Sequence, residues 1–190
     1  ATKDYYDMAA MLRGYPDVHC TINLTTSLLH QLREYYLNRL GPFVDVRKGT
    51  IDVRGFWKRW KGKTDPWIDM ALTAPAKYTP EQRRHLYENA WSAFGISEVM
   101  IERFPRYKEL RDRLKSRTVA LEDLFSAREQ REILFWFYLA HFDPDFLRNA
   151  VELPDGSVCD LREFVEEHPD GTFHLRRPIN DNDCKRMVVE

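Results

Sequence analysis

The sequence predicts a mostly α-helical chain with a few short strands, and three observations carry that expectation. Helix starts recur along the middle of the chain, at Asp65-Pro66, at Thr79-Pro80 with Gln82, and at Ser126 with Glu129. Apolar residues at helical spacing follow the later starts, as at Leu86, Tyr87, Ala90, Trp91 and Phe94. Strand signals, by contrast, are confined to residues 18–24 and to the region 151–177. With 190 residues, 43% of them hydrophobic and 13% aromatic, the chain can bury a core of one domain or one domain with an appendage.

Residues 2–32 read as helix, turn, strand and helix. Tyr5, Met8, Ala9 and Leu12 form one apolar stripe, and Gly14 with Pro16 ends it. Val18, Cys20, Ile22 and Leu24 alternate with polar neighbours, the period of a strand. Thr25, Thr26 or Ser27 can cap the following helix, whose expected buried face is Leu28, Leu32, Tyr35 and Tyr36. A helix-strand-helix unit cannot leave its strand unpaired, so this one needs partner strands.

Residues 40–64 read as a basic, aromatic loop punctuated by Gly41, Pro42, Gly49, Gly55 and Gly62. Trp57 and Trp60 stand there among Lys58, Arg59, Lys61 and Lys63. They could stack on a sugar ring or a base; equally, their i, i+3 spacing suits a helical turn that packs both indoles inward, the commoner outcome.

After the starts at Asp65 and Thr79, a helix is expected over 97–103, and another opens at Pro105 with Tyr107, Leu110 and Leu114 in register. Residues 133–140 are apolar all round, which marks a central buried helix. It breaks at Pro144, where Asp143 can cap the next turn. His141 and Asp143 are read as a satisfied histidine and a cap rather than as metal ligands. Residues 151–159 read as a hairpin turning at Pro154-Asp155-Gly156, Asp160 as the cap of a brief helix through Glu166, and residues 172–177 as a strand. Together these could form a three-stranded sheet, before a helix that starts at Asn180, Asp181 or Asp183.

Lys and Arg number 29 against 30 Asp and Glu, so neither nucleic acid nor an anionic membrane is expected as main partner. No apolar run approaches the roughly 20 residues of a membrane span. Cys20, Cys159 and Cys184 are odd in number and far apart, which suggests reduced thiols and a cytoplasmic setting.

The wording of several stretches resembles glycoside hydrolase family 57, which comprises α-amylases, 4-α-glucanotransferases, branching enzymes and amylopullulanases. The runs are T-K-D-Y-Y-D-M, Y-P-D-V-H and T-I-N-L-T-T-S-L-L-H-Q-L within residues 2–32, and the aromatic helix ending in Phe-Asp-Pro at residues 134–146. His141 stands where Trp is more usual in the family. The resemblance implies part of a seven-stranded (β/α) barrel: residues 1–39 as a partial barrel unit, 40–150 as a helical insertion, 151–179 as a small hairpin or sheet, and 180–190 as the start of the next barrel helix. It implies a retaining enzyme on α-1,4-glucans, whose two catalytic carboxylates, roughly 5–5.5 Å apart, would lie in barrel regions beyond Glu190. No catalytic residue, metal or cofactor is therefore assigned to this chain. Asn23, at the mouth of its strand, with Trp57 and Trp60, are the candidate substrate-binding residues, and the partners implied are an α-glucan or maltooligosaccharide and the remainder of the barrel. The alternative is a non-enzymatic helical protein-interaction domain.

Overall fold

The computed structural model describes residues 8–9, 11–88, 91–153 and 156–190. Its helices include α1 (Thr26–Leu32), α2 (Val53–Trp60), α3 (Pro66–Ala71), α4 (Pro80–Tyr87), α5 (Glu98–Glu102), α6 (Pro105–Lys115), α7 (Leu121–Leu124), α8 (Ala127–Leu139), α9 (Pro144–Arg148) and α10 (Asp181–Val189). Among the described residues the strands form three separate antiparallel pairs: β1 (Val44–Asp45) with β2 (Thr50–Ile51), β3 (Val151–Glu152) with β4 (Val158–Cys159), and β5 (Val165–Glu167) with β6 (Phe173–Leu175). The fold is mostly helical, as the sequence predicts.

Helix α8 is the hub. Its capping box closes as expected: the Ser126 hydroxyl accepts from Glu129 N–H, and the Glu129 carboxylate accepts from Ser126 N–H. Ile133, Phe135, Trp136 and Leu139 are fully buried. Around them gather α3, α4, α6 and α10 in one continuous core, joined by Leu161, Phe164, Val165 and Phe173 from the C-terminal hairpin region. That core runs across positions 150 and 179, where the resemblance divides the chain. A second, smaller cluster is built on Leu40, Phe56, Ile68 and Leu72.

The local start signals hold. Asp65 accepts from Trp67 N–H with Pro66 at the first position, Thr79 and Gln82 close a capping box, and Ser97, Asp143 and Asn180 cap α5, α9 and α10. Each satisfies N–H groups the first turn leaves unpaired.

Several expectations are corrected. Residues 18–24 form no strand: they run as exposed coil, with Ile22 50% and Leu24 58% exposed. Among the described residues no strand lies beside them, and alternation gains nothing without a partner ladder. In the preceding stripe Met8 and Ala9 are exposed and Leu12 half-buried, while Tyr5 falls outside the described residues. Leu28 and Leu32 are half-buried, but Tyr35 and Tyr36 are exposed, because residues Arg33–Leu40 continue α1 with π-helical turns that shift the register of its faces.

The basic loop is in fact ordered as β1, a tight turn, β2 and α2. Gly49 closes that turn at φ 59°, a left-handed position where an added Cβ would also meet the Arg186 side chain. Helix α4 stops at Tyr87, and the chain folds back so that Ala93 N–H reaches the Leu86 carbonyl. Trp91 is thereby carried outward to 85% exposure instead of packing; Ala90 lies outside the described residues. The helix expected after Asp160 is a turn, in which the Asp160 carboxylate accepts from Arg162 N–H. Val165–Glu167 are then taken by β6 as strand β5. The expected three-stranded sheet is two separate pairs.

Candidate functional site

Of the three candidate substrate-binding residues, Trp57 and Trp60 sit together on α2 and Asn23 does not join them. Helix α2 is started by Asp52, whose carboxylate accepts from Gly55 N–H at 2.9 Å. From there Phe56 points wholly inward, while Trp57 and Trp60 are half-buried against the smaller cluster. The packing reading of the two tryptophans therefore describes how they sit. Asn23 lies in exposed coil, and no hydrogen bond or ring contact ties it to either indole.

What covers the indoles is cationic. The Arg39 guanidinium lies 4.6 Å from the Tyr35 ring centre and 5.1 Å from that of Trp60, while Arg59 stands 5.5 Å from Trp60 and Lys61 Nζ 5.6 Å from Trp57. Contacts of this kind contribute about 0.5–1 kcal/mol each at exposed sites. Arg39 Nη1 also donates to the Lys63 carbonyl at 2.9 Å, which ties the π-helical segment to the end of α2. Sequence reasoning missed Arg39. The available signal was its i, i+4 spacing from Tyr35; its contact with Trp60, 21 residues on, has no local trace. An open groove of about 560 Å³ is lined by Val44, Asp45, Val46, Arg47, Gly156 and Ser157, none of them a candidate residue.

The buried acids are engaged by arginines or caps. Glu132 accepts from Arg106 at 3.0 Å and from Arg128 at 3.2 Å. Asp183 takes a two-pronged pair from Arg177 at 2.7 and 2.9 Å, and Asp143 accepts from Asp145 N–H at 2.8 Å. The Glu129 carboxyl is held down to about 2 chiefly by its hydrogen bond from Arg113, which keeps it ionised. Burial pushes the Cys159 thiol up to about 12 and raises Cys184 as well, so neither offers a thiolate. His141 Nδ1 donates to the Phe137 carbonyl at 2.7 Å. Among the described residues, no three His, Cys, Asp or Glu side chains gather as metal ligands. Among them, too, no helix is long and apolar enough to cross a membrane.

No family model matches the chain, and neither a curated protein nor a solved structure is similar to it.

Proposed function

We propose that this chain is part of a retaining glycoside hydrolase or glucanotransferase of the family 57 type, acting on α-1,4-glucans. In this reading its helices wall the substrate cleft, and the catalytic carboxylates come from the remainder of a barrel. The family assignment rests on the wording of residues 2–32 and 134–146. One structural observation supports the reading further: several apolar residues of the resembling N-terminal stretch are left facing solvent. Met11 is 61% exposed, Ile22 50% and Leu24 58%, beside a core whose central helix is sealed. An apolar surface of that kind marks a site of association, and adjoining barrel strands and helices would cover it. The cytoplasmic setting belongs to the same proposal, with its motive in the three unpaired cysteines.

A non-enzymatic helical interaction domain is the second reading. It is favoured by the same exposed apolar residues, Met11, Ile22 and Leu24, which a protein partner would cover equally well.

The test is a maltoheptaose assay with product sizes read by mass spectrometry, on this chain and on one extended at both ends through its natural reading frame. Shorter and longer maltooligosaccharides from the extended chain alone are expected. No product from either would overturn the glucan assignment in favour of the interaction domain.

A further inference from the structure

Around the main core, five arginines are matched: Arg106, Arg113, Arg131, Arg148 and Arg177 each meet a carboxylate within 3.0 Å. The cations clustered on α2 and its C-terminal turn are not. Arg54, Lys58, Arg59, Lys61 and Lys63 are all exposed, residues 53–63 contain no acid, and no carboxylate of the described residues pairs with any of the five. Asp52 and Asp65, the acids that flank this run in sequence, are occupied in capping α2 and α3.

Arg54, Lys58 and Lys61 lie at i, i+4 and i+7, so they share one face with about 6 Å between successive turns. Trp57 holds Lys61 and, beside the stripe, Trp60 holds Arg59, which positions these two charges before any ligand arrives and lowers the ordering cost of their binding. From this arrangement we infer that the α2 face is a docking surface for an acidic peptide segment of a partner protein. The inference stands independently of the glucan reading.

A peptide fits better than nucleic acid. Sequence-tolerant binding of single strands needs free aromatic faces for bases, whereas Trp57 and Trp60 are half-buried and face their own cations. The chain as a whole carries a net charge of −1, which does not favour a dense phosphate polymer. A short stripe of three cations matches carboxylates spaced along one face of an acidic helix.

Fluorescence anisotropy with fluorescein-labelled decaglutamate tests this. Saturable binding that weakens with added salt is expected, and R54Q/K58Q/K61Q should weaken it about tenfold or more, three exposed ion pairs being removed. K77Q/R84Q/K115Q, the same charge change elsewhere, should leave it intact. If the α2 variant loses its helical circular dichroism, R54Q/K58Q, which removes two side chains without ring contacts, is read in its place. Absence of saturable binding, or equal loss in both triple variants, overturns the inference. Tighter binding of a labelled ten-residue oligothymidylate, lost in the α2 variant, overturns it in favour of nucleic acid.

Discussion

Residues 11–37 and helix α8 are both rich in apolar side chains, yet one stretch lies largely open to solvent and the other is the most buried element described. Trp136 in α8 is 0% exposed, and Ile22 in the N-terminal stretch is 50% exposed. Composition does not separate them; partners do. Helix α8 has its own start written in Ser126 and Glu129 and is met on several sides by α4, α6 and α10. The N-terminal stretch has a weaker start, since Thr25 caps α1 without a side-chain hydrogen bond, and its strand pattern finds no ladder. Amphipathic patterning thus states which face wants burial, while a neighbouring surface decides whether burial happens.

That contrast can be broken or sharpened by measurement. Trp136→Ala should cost about 3–5 kcal/mol in urea unfolding, as deletion of a sealed aromatic does. Ile22→Ala should stay within about 0.5 kcal/mol, as for an exposed site. Equal costs would mean that residues 18–24 pack in solution. Limited trypsin digestion should next cut after Arg13, exposed at a helix end beside the turn at Gly14, about a hundredfold faster than after Arg131, which lies in α8 and pairs with Asp181. Ser126→Ala should lower stability by about 1 kcal/mol, while Thr25→Ala, which removes no side-chain hydrogen bond, should do much less.

The smallest effect is in pH. The Glu129 carboxyl is lowered from 4.5 to about 2 in the folded chain, chiefly by Arg113. A depressed folded value gives stability that is present above the ordinary carboxylate range and is lost as pH falls from about 4.5 through about 2. Thermal melts of the wild-type chain should therefore fall more steeply over that window than those of Glu129→Gln. Parallel curves would show that the Arg113 pair contributes nothing.

Features encoded within four residues were legible from sequence. Thr79 with Gln82, Ser126 with Glu129, Asp65 with Pro66 and Asp143 with Pro144 each set a helix start by contacts that cross one turn, and all four form. Features that need a distant partner were not. Val165 and Glu166 look helical behind Asp160 until Leu175 and His174 pair with them. Trp91 looks buried until the chain turns at Tyr87 and draws Ala93 back to Leu86. At the candidate site the same rule divides the outcome. The i, i+3 spacing placed Trp57 and Trp60 on one packed face, but nothing local announced Arg39 above Trp60. Asn23 was placed by a strand that has no ladder here.

The three cysteines turn the same contrast into a handle. Cys159 and Cys184 are sealed in the core with their thiols held protonated, while Cys20 is exposed within the N-terminal stretch. A maleimide dye added to the folded chain therefore marks a single position, without engineering. Its spectrum and rate of attachment would report when another surface closes over that stretch at Cys20.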